Sequence, residues 1–589
     1  MIMQGVKFQN LSLMGLFLMI FTRVLRNYFF KIGHLVNARM ARDFVKSEWF
    51  ISKPGPRSIG NTLIADKICE GNFFISGNII EIGNSVSWDQ NENGNSVIWD
   101  HPHINIENSE ELHGFSWLDD LAARGDNLAK KIIQRWVLGW IEKYGSGSGP
   151  GWTPTLTGRR LIKLIHHEEI ILDGLSEQNI SIYFKSIYKQ ANFISKRFTK
   201  TSKENTNFEA IVGLIYCGLY VDGFDSFITV ATEYLSRECR DKIDEDGGIL
   251  SRNPQELLEI FMCLVWVAHG LHDADWMPSQ AHVDAINRIA PVLRHLRHAD
   301  GNLCRFNGSW GKYLGELNRY LFLSGNKSKT TKTLQMGYTR IEGGRTSVIQ
   351  DAGCLPHPLH SNLAHASILG FELTHGRQPL IVNCGSGANF GKDWCKAGRA
   401  TQSHSIFCVK GKSSAKLVKN ISYSSALEHV LTHGPTEVIA DKVKVAGGTK
   451  LTVSHNAYAS KFGVNLERKL ELSNNGKVLN GEDQITLVSN LGKSYLISHD
   501  ALEYEVRFQF HPEITVQILD NDIVKLNSKN AGSWTLEALN LTPSIHPSYY
   551  FSEGHSSPLL TQQVILSTEL NGFLKQVRWS FTKSYDNEN

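Results

Sequence analysis

The chain has 589 residues, of which 41% are hydrophobic and 10% aromatic, so it can form two or more cores, and overall disorder is excluded. Its 61 basic and 58 acidic residues leave a formal net charge of +3, which excludes a global positive field for nucleic acid. Nine cysteines without a CxxC pair indicate neither a zinc site nor a disulfide framework, and we predict no metal site and no cofactor.

The first predicted element is an apolar segment, 11–21, that is too short to span a bilayer. Basic residues follow it and no small-residue cleavage site is evident, so an amphipathic first helix is favoured over a signal sequence, although export stays open. We predict no integral membrane span. Residues 1–110 are assigned as a segment that leads into a helical domain.

Residues 111–330 are predicted to form that helical domain. In GDNLAKKIIQRWVLGWIEKYG (125–145) the apolar residues form one stripe at helical spacing. Further helices are predicted at about 175–197, 207–221, 226–243, 254–271, 280–299 and 310–324. Short turns between them indicate helix pairs stacked in a ring or solenoid.

After the polar stretch at 325–333 the apolar period changes to two, and tight turn dipeptides separate runs rich in β-branched residues. Residues 331–589 are therefore predicted to form an antiparallel β-sandwich. The fold class is α+β and multidomain, and ligand clefts are common between such domains.

Four clusters carry candidate chemistry. In the first, Trp152 precedes Arg159 and Arg160 at a helix start; Trp can stack on a sugar face and Arg can bind a carboxylate, or these residues pack and solvate the helix. In the second, Asn207 stands ahead of an apolar helix. Its amide could hydrogen-bond a substrate, although Asn is also a common helix N-cap.

The third cluster is DGGILSRNPQELLEI (246–260), in which Arg252, Asn253 and Glu256 stand at a junction between a loop and a helix. Asn253 is also a natural cap before Pro254. In the fourth cluster, His365 and His404 lie near predicted strands, with Arg399 close by. A neutral imidazole suits general base catalysis and arginine can hold an acid group, but either histidine alone could be a packed residue.

The order of these segments resembles the heparinase II/III family of polysaccharide lyases. The resemblance rests on HGFSWLDDLAARGD, WTPTLTGRRL, NFEAIVGLIYCGLYV, DGGILSRNPQELLEI, AHASILGFEL, IVNCG and RATQSHSIF. It implies an incomplete (α/α) toroid followed by an antiparallel β-sandwich. It also implies β-elimination at a uronic acid, with an acidic polysaccharide or oligosaccharide as partner and no cofactor.

The chain departs from the family pattern at several positions. Phe208 stands where the family has a histidine after Asn207, and the family tyrosine has no counterpart in the segment that holds Glu256. His365 and His404 match the two sheet histidines of the family.

These departures leave three readings. The first is a related lyase whose base is Glu256, His365 or Tyr313; the second is a glycan-binding protein without catalysis; the third is a structural scaffold. We expect a location in the cell envelope or periplasm, with the cytoplasm as the alternative.

Overall fold

The computed structural model describes residues 13–55, 58–75, 78–81, 98–99, 109–201, 207–311, 315–330, 332–417, 430–499, 501–552, 555 and 557–584. Helices dominate up to residue 323 and antiparallel strands dominate from residue 334. This order confirms the predicted α+β class. Among the described residues, no helix combines the length and apolarity needed to cross a membrane.

The described helices of the first part share one core, in which Trp, Phe, Tyr and Leu side chains are buried. They are α1 (Leu13–Met40), α2 (Thr62–Cys69), α3 (Ser109–Gly114), α4 (Ser116–Arg124), α5 (Asn127–Tyr144), α6 (Pro154–His166), α7 (Glu168–Leu172), α8 (Glu177–Arg197), α9 (Asn207–Tyr220), α10 (Phe227–Lys242), α11 (Pro254–Asp273), α12 (Gln280–His295) and α13 (Glu316–Leu323). A small hairpin, β1 (Asn72–Ile75) and β2 (Asn78–Glu81), packs beside α2.

Helix starts follow local sequence signals. The side chain of Asp126 accepts a hydrogen bond from the backbone N–H of Ala129 at 2.8 Å and caps α5. The apolar stripe of α5 then faces the core, with Trp136 and Trp140 fully buried. Burial of these large rings is what holds the helix in place, because propensity alone contributes little.

The second part consists mainly of strands. They are β3 (Leu334–Gln335), β4 (Tyr338–Gly343), β5 (Thr346–Asp351), β6 (Phe371–His375), β7 (Gln378–Val382), β8 (Phe407–Val409), β9 (Lys416–Leu417), β10 (Leu431–Thr432), β11 (Val438–Val445), β12 (Gly448–His455), β13 (Val464–Ser473), β14 (Val478–Leu487), β15 (Leu502–Phe510), β16 (Thr515–Ile518), β17 (Val524–Ser528), β18 (Gly532–Ala538), β19 (Pro543–Tyr550), β20 (Leu559–Leu570) and β21 (Leu574–Lys583). Three further helices, α14 (Lys392–Gly398), α15 (Ala459–Phe462) and α16 (Asn490–His499), lie between strands.

Two large antiparallel sheets build the sandwich. One sheet has the order β11-β12-β13-β14-β21-β18-β17-β16, and the other has the order β19-β20-β15-β7-β6-β5-β4-β3, with β8 paired to β15. Side chains of β13 alternate strictly between buried and half-buried, as one face packs on the core. Even the inward charge on this strand is paired, because Arg468 Nε lies 2.6 Å from Asp483 Oδ1.

The loop after α12 fastens the helical part to the second sheet. His298 Nε2 lies 3.1 Å from a carboxylate oxygen of Glu372 on β6, and the same carboxylate accepts the backbone N–H of Arg305. The guanidinium of Arg305 donates to the carbonyl oxygens of Cys384 and Phe551. Residues 298–311 therefore lie against the sheet whose connecting loops hold the predicted histidines.

Candidate functional site

His365 and His404 lie side by side, with His365 Nδ1 3.0 Å from His404 Nε2. His404 Nδ1 lies 2.9 Å from the carbonyl oxygen of Ala400, which can only accept, so this nitrogen carries the proton. His404 Nε2 must then accept a hydrogen bond from His365 Nδ1. His365 Nε2 in turn accepts the backbone N–H of Gly308 at 3.2 Å. A linear chain of hydrogen bonds from Gly308 through both rings to Ala400 thus engages every ring nitrogen of the pair.

Both histidines are buried, with 1% of His365 and none of His404 exposed to solvent. Burial, together with the nearby His404, Arg399 and Arg305, lowers the pKa of His365 well below its usual value. Burial also lowers the pKa of His404 to about 4. Both rings are therefore neutral at pH 7 and have no nitrogen directed at solvent. No group of three or more His, Cys, Asp or Glu side chains suited to a metal converges in the described part of the chain.

Arg252 joins the helical part to the sandwich. Its guanidinium donates to the backbone carbonyls of Met336, Gly337, Gly353 and Cys354, at 2.6 to 3.1 Å, and pairs with the buried carboxylate of Asp351. These five acceptors surround the guanidinium, so its donors are directed at the protein itself.

Three other predicted binding residues, Arg399, Arg160 and Trp152, also form hydrogen bonds within the protein. Arg399 donates to the carbonyl oxygens of Ala364 and Ser361, both at 2.7 Å. Arg160 is fully buried; it donates to Gln190 Oε1 at 2.7 Å and stacks 3.9 Å from the ring centre of Trp140. Trp152 is also buried, and its indole N–H donates to the carbonyl of Tyr144 at 2.8 Å.

The remaining candidates fall at helix starts. Asn253 caps α11 by accepting the N–H groups of Gln255 and Glu256, and Glu256 accepts the hydroxyl of Ser251 at 2.5 Å. Asn207 donates to Glu238 Oε1 at 3.1 Å. Tyr313 lies outside the described residues. The structure thus brings together the two histidines. It also links Arg252 to them, because the Tyr338 hydroxyl donates to the Arg252 carbonyl and accepts from Asn307. The side-chain oxygen of Asn307 in turn accepts the backbone N–H of His365.

A second polar cluster lies among α6, α9 and α11. Arg159 forms a bidentate ion pair with Glu209, at 2.8 and 2.9 Å. The carboxylate of Glu259 accepts a hydrogen bond from Gln255 at 3.0 Å. Although the side chain of Glu259 reaches solvent, surrounding protein and then Glu209 raise its pKa to about 7, against the opposing effect of Arg159. We call Arg159, Glu209, Gln255 and Glu259 the helical carboxylate cluster.

Sequence reasoning missed Glu259, although a signal was present. Glu256 and Glu259 are three residues apart on one helix, a spacing that places both near one face. The helix is otherwise strongly apolar around them, with Leu257, Leu258 and Ile260 buried. A second carboxylate at that spacing indicates a polar face of α11 that is open to solvent.

The hydrogen-bond chain of the histidines makes a direct prediction. Replacing His365 by leucine removes the acceptor of the Gly308 N–H and the donor to His404, and leaves two buried polar groups unsatisfied. We expect the free energy of unfolding to fall by about 1–3 kcal/mol for each stranded group. Urea unfolding measures this loss. An unchanged midpoint would contradict the bonded tautomers described above.

Comparisons with known proteins find a matching family model and solved structures with a similar fold. Residues 326–580 match the family model described as heparinase II/III-like, C-terminal. The chain also resembles the crystal structure of heparinase III with a TM-score of 0.64 and 14% identity, over 91% of this chain and 87% of the other. Heparan sulfate lyase HepC from Pedobacter heparinus gives a TM-score of 0.51 and 14% identity, over 88% and 82% of the two chains.

A relative in sequence is FtsZ-localized protein C of Caulobacter vibrioides. It is 24% identical over 484 residues, which cover 80% of this chain and 81% of the relative. Together, the comparisons confirm the resemblance to the heparinase II/III family and the architecture of a helical toroid followed by a β-sandwich. At these identities the solved structures establish the fold alone.

Proposed function

Starting from a chain with a heparinase II/III-like C-terminal region and a polysaccharide-lyase-like fold, we propose that this protein is a non-catalytic scaffold. The proposal rests on the hydrogen-bond chain through His365 and His404, in which every ring nitrogen is bonded to another group of the protein. β-Elimination needs a group that takes the proton from C5 of a uronic acid, and such a base must reach the substrate. Two buried, neutral and fully bonded imidazoles do not meet that need.

The arginines give independent support. Elimination at a uronate is faster when a positive or hydrogen-bonding group neutralises the substrate carboxylate. Arg252 and Arg399 are bonded to backbone carbonyls, Arg160 is buried, and Arg159 is paired with Glu209. With Glu259 beside that pair, the helical carboxylate cluster carries no excess positive charge for a polyanionic chain.

The relative from Caulobacter vibrioides suggests what the scaffold binds, since its name describes a protein localised with FtsZ. We propose that this chain also associates with FtsZ polymers at the cell envelope. The test is co-sedimentation of the full chain with FtsZ of its own organism, assembled with GTP. Pelleting with polymers but not with FtsZ kept in GDP supports the proposal, and retention in both supernatants contradicts it.

A second candidate function, elimination at an acidic polysaccharide, is favoured by one specific observation. Glu259 is open to solvent and its pKa is raised to about 7, which suits a group that must both accept and donate a proton near neutrality. In this alternative Glu259 replaces the family tyrosine, and Arg159 lies close enough to the carboxylate to influence its charge.

The variant Glu259→Gln tests this alternative, because it removes the titrating group and keeps the side-chain volume. If Glu259 transfers the proton, we expect any elimination rate to fall by about 100-fold or more. The matched control is Glu233→Gln on the exposed face of α10, which should leave the rate unchanged. Equal rates in the two variants would remove Glu259 from the reaction.

A further inference from the structure

Helix α1 presents two chemically different faces. Its protein-facing side carries small or polar residues, with His34 and Ala38 buried. That side rests on α8, where Arg197 Nε donates to His34 Nδ1 at 3.1 Å. The ring of Phe193 also packs 6.2 Å from the His34 ring, measured between centroids. Small residues allow the two helices to approach closely.

The opposite face of α1 is apolar and open to solvent. Successive helix residues are about 100° apart, so positions separated by three or four share a face. Eight large apolar residues follow this rule, and 65% of Phe29 and 60% of Tyr28 are exposed. We call these residues the α1 apolar stripe: Phe21, Leu25, Tyr28, Phe29, Ile32, Leu35, Val36 and Met40.

Three further large apolar residues follow the helix in the chain. Phe44, Trp49 and Ile51 are also exposed, by 78%, 68% and 55%. A folded protein that leaves so many large apolar side chains together in water has an interaction surface there. Exposed Trp and Phe beside such a stripe are typical of the boundary between lipid headgroups and acyl chains.

The charge along α1 itself has one sign, whereas the exposed acidic residues Asp43 and Glu48 lie in the segment that follows it. Within the first 42 residues the sequence has six basic side chains, Lys7, Arg23, Arg26, Lys31, Arg39 and Arg42, and no aspartate or glutamate. The rest of the chain is nearly balanced, since the whole carries only +3. On α1, Arg26 and Lys31 are exposed and flank the stripe.

We propose that α1 docks the protein on an anionic lipid surface. The α1 apolar stripe enters the boundary between headgroups and acyl chains, while Arg26 and Lys31 contact lipid phosphates. The helix lies parallel to the membrane plane, because its other face stays packed on α8. A second copy of the chain is a poorer occupant, since two such faces would bring like charges together. This inference does not depend on the proposed scaffold function.

The test is flotation of the full chain with phosphatidylcholine vesicles, with and without about 30% phosphatidylglycerol. The variant Phe29→Glu/Ile32→Glu places charge in the centre of the stripe. The control variant, Phe322→Glu, changes an apolar side chain that is 83% exposed on α13. Circular dichroism and thermal unfolding of each variant establish that it is folded.

We expect the wild type and Phe322→Glu to float with anionic vesicles, and the binding to weaken as salt is added. The stripe variant should bind at least about tenfold more weakly. Failure of the wild type to float, or equal flotation of the stripe variant, would overturn the proposal. The proposal would also be overturned if light scattering showed a wild-type dimer that is lost in the stripe variant, while neither protein bound vesicles. A second copy of the chain would then cover this face.

Discussion

Replacing Arg252 by methionine is expected to lower the free energy of unfolding by about 3–5 kcal/mol, because it leaves the Asp351 carboxylate buried without its cation. The change also leaves four backbone carbonyls without the donor that now joins them. Because Arg252 lies in the helical part, just before α11, and its acceptors lie in the sandwich, we expect the two parts to separate more easily. Urea unfolding monitored by Trp fluorescence gives the loss.

A double-mutant cycle identifies the cause of that loss. Adding Asp351→Asn to Arg252→Met removes the stranded charge, so part of the stability should return. The control is Arg377→Met in an exposed turn, which should change stability by less than about 0.5 kcal/mol. If Arg252→Met instead kept full stability and lost only retention of an acidic glycan, Arg252 would be a binding residue.

Acidification from pH 6.5 towards pH 4 is expected to destabilise the protein by several kcal/mol. Burial lowers the pKa of nine histidines in the described residues: His34, His113, His282, His295, His365, His375, His404, His455 and His511. Each is neutral in the folded protein but gains a proton in the unfolded chain below about pH 6.5. The stability contributed by the neutral form is therefore complete above pH 6.5 and lost as pH falls towards the folded pKa.

Two carboxyl groups act in the opposite direction. The surrounding protein and the Glu209 carboxylate raise the pKa of Glu259 to about 7, and burial raises that of Glu316. The contributions of both groups are therefore lost as pH rises rather than as it falls. We expect the loss of stability that comes from nine histidines to exceed the opposite effect of two carboxyl groups, one of which reaches solvent. Urea unfolding at several values between pH 4 and pH 7 measures the balance. A flat profile over that window would mean that the histidines are not buried and neutral.

Much of the fold could be predicted from periodicity, because helices and strands bury their faces with different repeats. The cap of α11 illustrates this, since Asn253 followed by Pro254 marks a helix start without any tertiary information. The helix stripe of α5 and the alternation of β13 are read in the same way. These signals are local, and tertiary packing agrees with them.

The candidate site was less predictable, because its decisive partners are backbone atoms that are distant in sequence. Arg252 binds the carbonyls of residues 84 to 102 positions away, and His365 accepts from an N–H 57 positions away. A backbone carbonyl or N–H exists at every such position, so residue types alone do not record which one is bonded. The sequence thus identified side chains that are capable of the chemistry, but it did not reveal the backbone groups to which they are already hydrogen-bonded.

In the proposed scaffold, the histidines and arginines of this lyase-like fold stabilise the structure and take no part in elimination. The most direct test is the ultraviolet absorbance of the wild-type protein incubated with a panel of sulfated and unsulfated uronic-acid polysaccharides, because elimination leaves a conjugated C4=C5 double bond that absorbs there. We predict no increase over a protein-free control at any pH between 5 and 9. A steady increase on one polysaccharide, proportional to protein concentration and lost in Glu259→Gln, would contradict the scaffold account and establish a lyase.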